Sequence, residues 1–249
     1  MNDTGRILRC FVKPILGWAL CLPAFVMASD LPKVTLVSLL EEMIERDHLA
    51  SLPALGYTCS QFSSYDRHST EPGASTWWAN ADRSYFVRIE ETDGRKEHVL
   101  MDIAGPGAIV RFWATWHGPG GGPFSNGTLR VYLDGQAKPV IEGPMADLIS
   151  GGALVDAPLS EGVSPDTNYE RQGHNLYLPI PYARHCKVTY ETEAFIDEGA
   201  RKGEALYYQI NYRTYDKGTG VESFSLDALK QAQPTLARVQ QSLVQPDRS

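Results

Sequence analysis

From Thr58 onward the chain alternates apolar and polar positions with a period of two, and this alternation predicts a series of short strands. The segments Tyr85–Glu91, Glu97–Ile103 and Ala108–Trp116 are rich in aromatic and β-branched residues, and Gly105-Pro106-Gly107 marks a turn between the last two. Thr128–Leu133 and Pro139–Glu142 flank Asp134-Gly135, a strong local signal for a hairpin. Lys187–Glu193 and Ala205–Tyr215 complete the set. A helical period occurs at two places. Leu36, Leu39, Leu40, Met43 and Ile44 place one apolar face on residues 33–48, and residues 225–243 read as a helical tail interrupted at Pro234. The stretch from Ser150 to Gly173 has no clear period. Many short strands without strand–helix alternation predict a mainly β protein, an antiparallel jelly-roll β-sandwich with an N-terminal helix and a short helical C-terminal tail.

The first residues follow another logic. Arg6, Arg9 and Lys13 precede an uncharged apolar run from Pro14 to Ala28, and Val26-Met27-Ala28 suits cleavage before Ser29. The run is short for a bilayer span, which needs about 20 apolar residues. Trp18-Ala19-Leu20 is a poor lipobox for Cys21. The sequence therefore divides into a signal peptide (1–28), a helical segment (29–54), a sandwich domain (55–224) and a helical tail (225–249), and it predicts a periplasmic or secreted protein with no membrane association after processing.

Removing that leader moves the formal charge from −7 to −9, which argues against a nucleic-acid partner, since phosphate binding needs a basic face. Cys59 and Cys186 survive processing; a disulfide and two buried thiols are both compatible with the sequence. The six histidines form no H-x-H or H-E-x-x-H pattern and no C-x-x-C occurs, so neither a metal nor another cofactor is expected. Gly118-Pro119-Gly120-Gly121-Gly122 lacks the Lys-Ser/Thr ending of a phosphate loop, and Asn126-Gly127-Thr128 reads as a tight turn. No Gly-x-Ser-x-Gly elbow is present.

Two segments carry residues suited to binding. Ser63–His68 and Trp77–Arg83 mix aromatic faces, which stack on the C–H surfaces of sugars, with Asp, Asn and Arg, which hydrogen-bond hydroxyls. An ordinary surface ion pair with a core tryptophan is the competing reading. In Gln172–Tyr182 the apolar half reads as core, leaving His174 and Asn175 for binding. A glycosidase needs two carboxylates about 5–10 Å apart, and nothing singles out a pair among Glu90, Glu91, Glu97 and Asp102.

Several segments resemble one family in order: Ser63-Ser64-Tyr65-Asp66-Arg67, Trp78-Ala79-Asn80-Ala81-Asp82, Asp102-Ile103-Ala104-Gly105-Pro106-Gly107 running on to Ile109-Val110-Arg111-Phe112-Trp113, Leu129–Gly135, Tyr177–Tyr182 and Tyr207–Tyr212. The chain resembles the DUF2961 family, glycoside hydrolase family 172, over roughly residues 55–245. The resemblance implies the first of two jelly rolls in an enzyme that hydrolyses α-linked D-fructofuranosides or D-arabinofuranosides, with sites assembled in oligomers. Its matched positions make Asp66, Arg67, Trp78, Asn80 and Asp82 substrate-facing or site-supporting. Retaining chemistry in the family uses two glutamates, in motifs of the type W-x-G-E-G-D and G-T-G-x-E-D-Y, and neither motif occurs in this sequence. The resemblance thus implies the N-terminal part of a truncated or split furanosidase, needing a second half or a homo-oligomer to cover its apolar face, with no turnover of its own. A stand-alone carbohydrate-binding module and a structural envelope protein are the alternatives.

Overall fold

A computed structural model describes residues 32–163, 173–196 and 203–245. The expected leader, residues 1–28, lies outside the described residues. The strands form two antiparallel sheets that sandwich one apolar core. In the first sheet β1 (Tyr57–Ser63), β11 (Ala205–Tyr215), β4 (Gly107–His117), β8 (Gly173–Leu176) and β7 (Ser160–Val163) lie side by side, and β9 (Ile180–Tyr182) also pairs with β4. The second runs β2 (Arg88–Thr92), β3 (Arg95–Ala104), β10 (His185–Glu191), β5 (Thr128–Leu133) and β6 (Ile141–Pro144).

Period-two alternation decides which side chains fill the space between the sheets. Leu206, Tyr208, Ile210 and Tyr212 of β11 point inward with Phe112, Ala114 and Trp116 of β4, and meet Leu129, Val131, Leu133, Cys186, Val188 and Tyr190 from the opposite sheet. β5 and β11 have the limits that the alternation predicts, and Asp134 and Gly135 both take positive φ (57° and 77°), as the hairpin between β5 and β6 requires. Cys59 is exposed on β1 and Cys186 is buried in the core, and both are free.

The helices are shorter than the pattern suggests. α1 spans Leu36–Glu42, fixed at its start by Thr35 and Ser38, each side chain accepting a bond from the other's backbone N–H. It ends early, and a 3₁₀ turn follows at Arg46–Ala50. A short α2 (Met145–Ile149), not predicted, fills the turn after β6. The tail divides at Pro234 into α3 (Leu226–Gln231) and α4 (Gln233–Val244), since proline suits a first turn and not a helix interior. Among the described residues no helix is long and apolar enough to cross a membrane.

The outer faces of the sheets differ. On the second, Arg88, Arg95, Arg130 and Lys187 interleave with Glu90, Glu97, Asp102, Glu142 and Glu191 in ion pairs, and Arg88 grips Asp102. On the first, Leu39 of α1 packs with Ala108 and Tyr215 over one end. The other end carries polar and aromatic side chains and a long loop.

Candidate functional site

Strand register assembles that face. Ser63 is paired with Gln209, Gln209 with Trp113 and Trp113 with Asn175, so four strands contribute one transverse row. A second row joins Gln61, Asn211 and Arg111, and Tyr207 is paired with Thr115. Gly173 makes room for the Trp113 indole: a Cβ there would sit 2.9 Å from its Nε1.

The loop between β1 and β2 rises from this face and is clipped shut at its neck. Ser64 N–H donates to the Tyr208 carbonyl (3.2 Å) while Ser64 Oγ accepts from Tyr208 N–H (3.2 Å). Ser84 repeats the exchange one pair along the strand, donating to the Leu206 carbonyl (2.8 Å) and accepting from Leu206 N–H (3.1 Å). Inside these clips two carboxylates tie the halves of the loop together. Asp66 Oδ2 accepts from Ala81 N–H (3.0 Å), and Asp82 Oδ1 accepts from Asp66 N–H (2.7 Å). Asp66 Oδ1 takes the His68 backbone N–H (3.0 Å) and the His68 ring at Nδ1 (2.7 Å).

Those donors, the His68 backbone first, hold the Asp66 carboxyl down from 3.8 to about 2. The sign follows from the depressed value. The latch contributes stability in full above the unfolded value near 3.8, and loses it as pH falls toward about 2. The Asp66→Asn variant is expected to abolish this acid dependence, read from the fluorescence of Trp77 and Trp78 between pH 5 and about 2. A loop signal with a midpoint at or above pH 4 would refute the assignment.

Between loop and sheet lies a cleft of about 510 Å³, walled by Ser63, Tyr65, Asp82, Trp113, Tyr207 and Gln209 among others. A second hollow of about 400 Å³ is lined by Asn80–Arg83 and Tyr207. Asp82 and Tyr207 line both, so the two hollows adjoin in a depression along the loop's base.

The sequence candidates fall into three groups. Asn80 and Asp82 line the depression, and Trp78 stands 85% exposed on the loop, edge-on to Trp77. Asp66 and Arg67 organise the loop: both Asp66 oxygens are occupied, and the Arg67 guanidinium lies 3.8 Å over the Tyr65 ring while donating to the Tyr65 and Ser63 carbonyls. His174 and Asn175 separate onto opposite faces, as neighbours on a strand must. Asn175 is on the outer face but is 4% exposed, its Oδ1 accepting from Arg111 and Tyr177. His174, expected to be available for binding, is instead fully buried, stacked on Trp116 and hydrogen-bonded to Ser150 (2.6 Å). Trp113, Tyr207 and Gln209 were not among the candidates. Their signal is the polar half of the alternation in β4 and β11.

A family model described as the GH172 first beta-sandwich domain matches residues 55–232. The chain belongs to glycoside hydrolase family 172. No curated protein matches it. The match takes in both sheets, the clipped loop and α3 of this GH172 sandwich, so every residue that walls the depression lies within the matched span. Among its described residues no group of His, Cys, Asp and Glu has the arrangement of a metal site.

Proposed function

We propose that this GH172 sandwich is the sugar-recognising part of an exported protein that acts on α-furanosides, of the D-fructofuranoside or D-arabinofuranoside type. The observation that carries the reading is the depression at the loop base. It sets Trp113, Tyr207 and Tyr65 beside Gln209 and Asp82, aromatic faces next to polar forks. Asp66 does not supply the acid of a glycosidase. Its carboxyl is held near 2 by donors on both oxygens and stays ionised at neutral pH. In this reading the reacting glutamates come from a second sandwich or another protomer, and residues 1–28 serve as the export leader.

The test is calorimetric titration of the protein with an α-D-arabinofuranosyl trisaccharide and an α-D-fructofuranosyl disaccharide. Saturable binding of one of them without turnover is expected. Trp113→Ala removes a large stacking surface and should weaken binding about 10- to 100-fold, the range for losing one buried side chain. Trp78→Ala reports whether the exposed loop indole belongs to the same ligand. Flat titrations with both sugars would overturn the reading, as would an unchanged affinity in Trp113→Ala.

A further inference from the structure

The arginines divide by partner. Arg88, Arg95, Arg130 and Arg213 each grip a carboxylate. Among the described residues Arg67, Arg83 and Arg111, on the side of the depression, are bonded to neutral oxygens alone, as is Arg184 beside the β5–β6 hairpin. None of the three guanidiniums at the depression pairs with a carboxylate, although Asp66 and Asp82 lie in the same loop as Arg67 and Arg83.

Arg111 is the most developed of the three. Its Nη1 donates to the amide oxygens of Gln209 and Asn211 (3.4 Å each), and its Nη2 to that of Asn175 (3.3 Å). Asn211 is fixed in turn by donating from Nδ2 to Gln61 (3.0 Å). Three amides on two strands, β11 and β8, thus set the plane of the guanidinium before any ligand arrives. They neutralise none of its charge. Arg111 Nε–H, on the same edge of the group as Nη2, has no acceptor among the described residues and is not buried, so it is open to solvent. That edge is the side-on fork that matches a carboxylate. The acidic residue nearest in register, Glu161 of β7, is one strand beyond Asn175 and makes no ion pair with Arg111. Trp113, which walls the cleft, follows Arg111 on the same face of β4.

We propose that Arg111 is the centre of an anion subsite beside the cleft, and that the ligand is an acidic saccharide whose carboxylate sits on the Nε–Nη2 edge. The inference rests on the sugar-binding reading above and narrows it from furanosides in general to those carrying an acidic group next to the bound ring. The amide oxygens of Gln209 and Asn175 set its specificity by orienting the guanidinium.

A matched pair of probes tests it: an α-D-arabinofuranosyl trisaccharide, and the same trisaccharide with its terminal primary alcohol oxidised to a carboxylate. Calorimetry on the whole chain at low salt and at about 0.15 M salt is expected to favour the acid by about tenfold or more, with the preference shrinking as salt rises. Arg111→Gln should bring the ratio of acid to neutral affinity to about one; Arg111→Lys should keep part of the preference, having charge without the fork. Thermal melts of both variants establish that they are folded. Equal affinity for acid and neutral probes overturns the subsite while the sugar-binding reading stands. Failure of both probes to bind overturns both. Acetate binding as tightly as the acidic sugar would also overturn the subsite, as it would assign Arg111 to a bare carboxylate such as a partner's side chain.

Discussion

Replacing Arg130 with alanine is expected to cost about 3 kcal/mol of folding stability, at the low end of the range for breaking a buried ion pair. Arg130 is 5% exposed on the outer face of the second sheet, and its guanidinium binds Glu142 (2.7 Å), Glu191 (2.6 Å) and the wholly buried Glu97 (3.5 Å). Without it Glu97 keeps Arg95, which is itself half open to solvent, and the Tyr132 hydroxyl, whose proton burial and Glu97 together hold tightly. The remaining partners place the loss near the bottom of the range. Urea denaturation of the single variants and of Arg130→Met/Glu97→Gln measures it. The double variant should recover much of the loss, because the penalty lies in stranding one charge and not in the absence of the pair. A single-variant loss below about 1 kcal/mol would mean that water reaches Glu97 and the cluster behaves as surface charge.

Gly107→Ala is expected to be of similar size, about 3 kcal/mol or a fall of roughly 10 °C in Tm. A Cβ at Gly107 would lie 2.5 Å from the Arg213 carbonyl oxygen and against the hydroxyl of Tyr182. The carbonyl belongs to a strand paired with β4, and Tyr182 is fully buried, so neither can retreat. Gly122→Ala is the control, since its nearest contact would be an ordinary 3.4 Å. Thermal melts that move equally for the two variants would refute the steric account.

Gly107 also shows where sequence reading stops. Gly105-Pro106-Gly107 was readable as punctuation between two strands, and the strands do end there. That the second glycine is a packing requirement depends on Tyr182, which arrives from another part of the chain. The site follows the same rule. In β11 the alternation from Leu206 to Tyr212 is enough to place the strand, but it says nothing of what the other half faces. Only the register with β1 and β4 turns Tyr207, Gln209 and Asn211 into one surface with Gln61, Ser63, Arg111 and Trp113. His174 was misjudged for the complementary reason: the partners that bury it, Trp116 and Ser150, come from β4 and the end of α2. Segment 64–83, in contrast, was legible as chemistry because its aromatic, acidic and amide residues are local. Its division into latch residues and cleft residues was not, since both tasks use aspartate.

The clipped neck of that loop separates two kinds of change. Ser64, Asp66, Asp82 and Ser84 close the segment on itself and on β11, so its middle hangs from the fold by a fixed hinge-free stem. At the tip, Gly73 has open space around it. Residues 70–79, beyond the Arg67, His68 and Ala81 contacts that hold the stem, can therefore be exchanged, lengthened or labelled without either sheet registering the edit. The loop is an exchangeable cassette, its sequence free to change while stem and sandwich stay as they are.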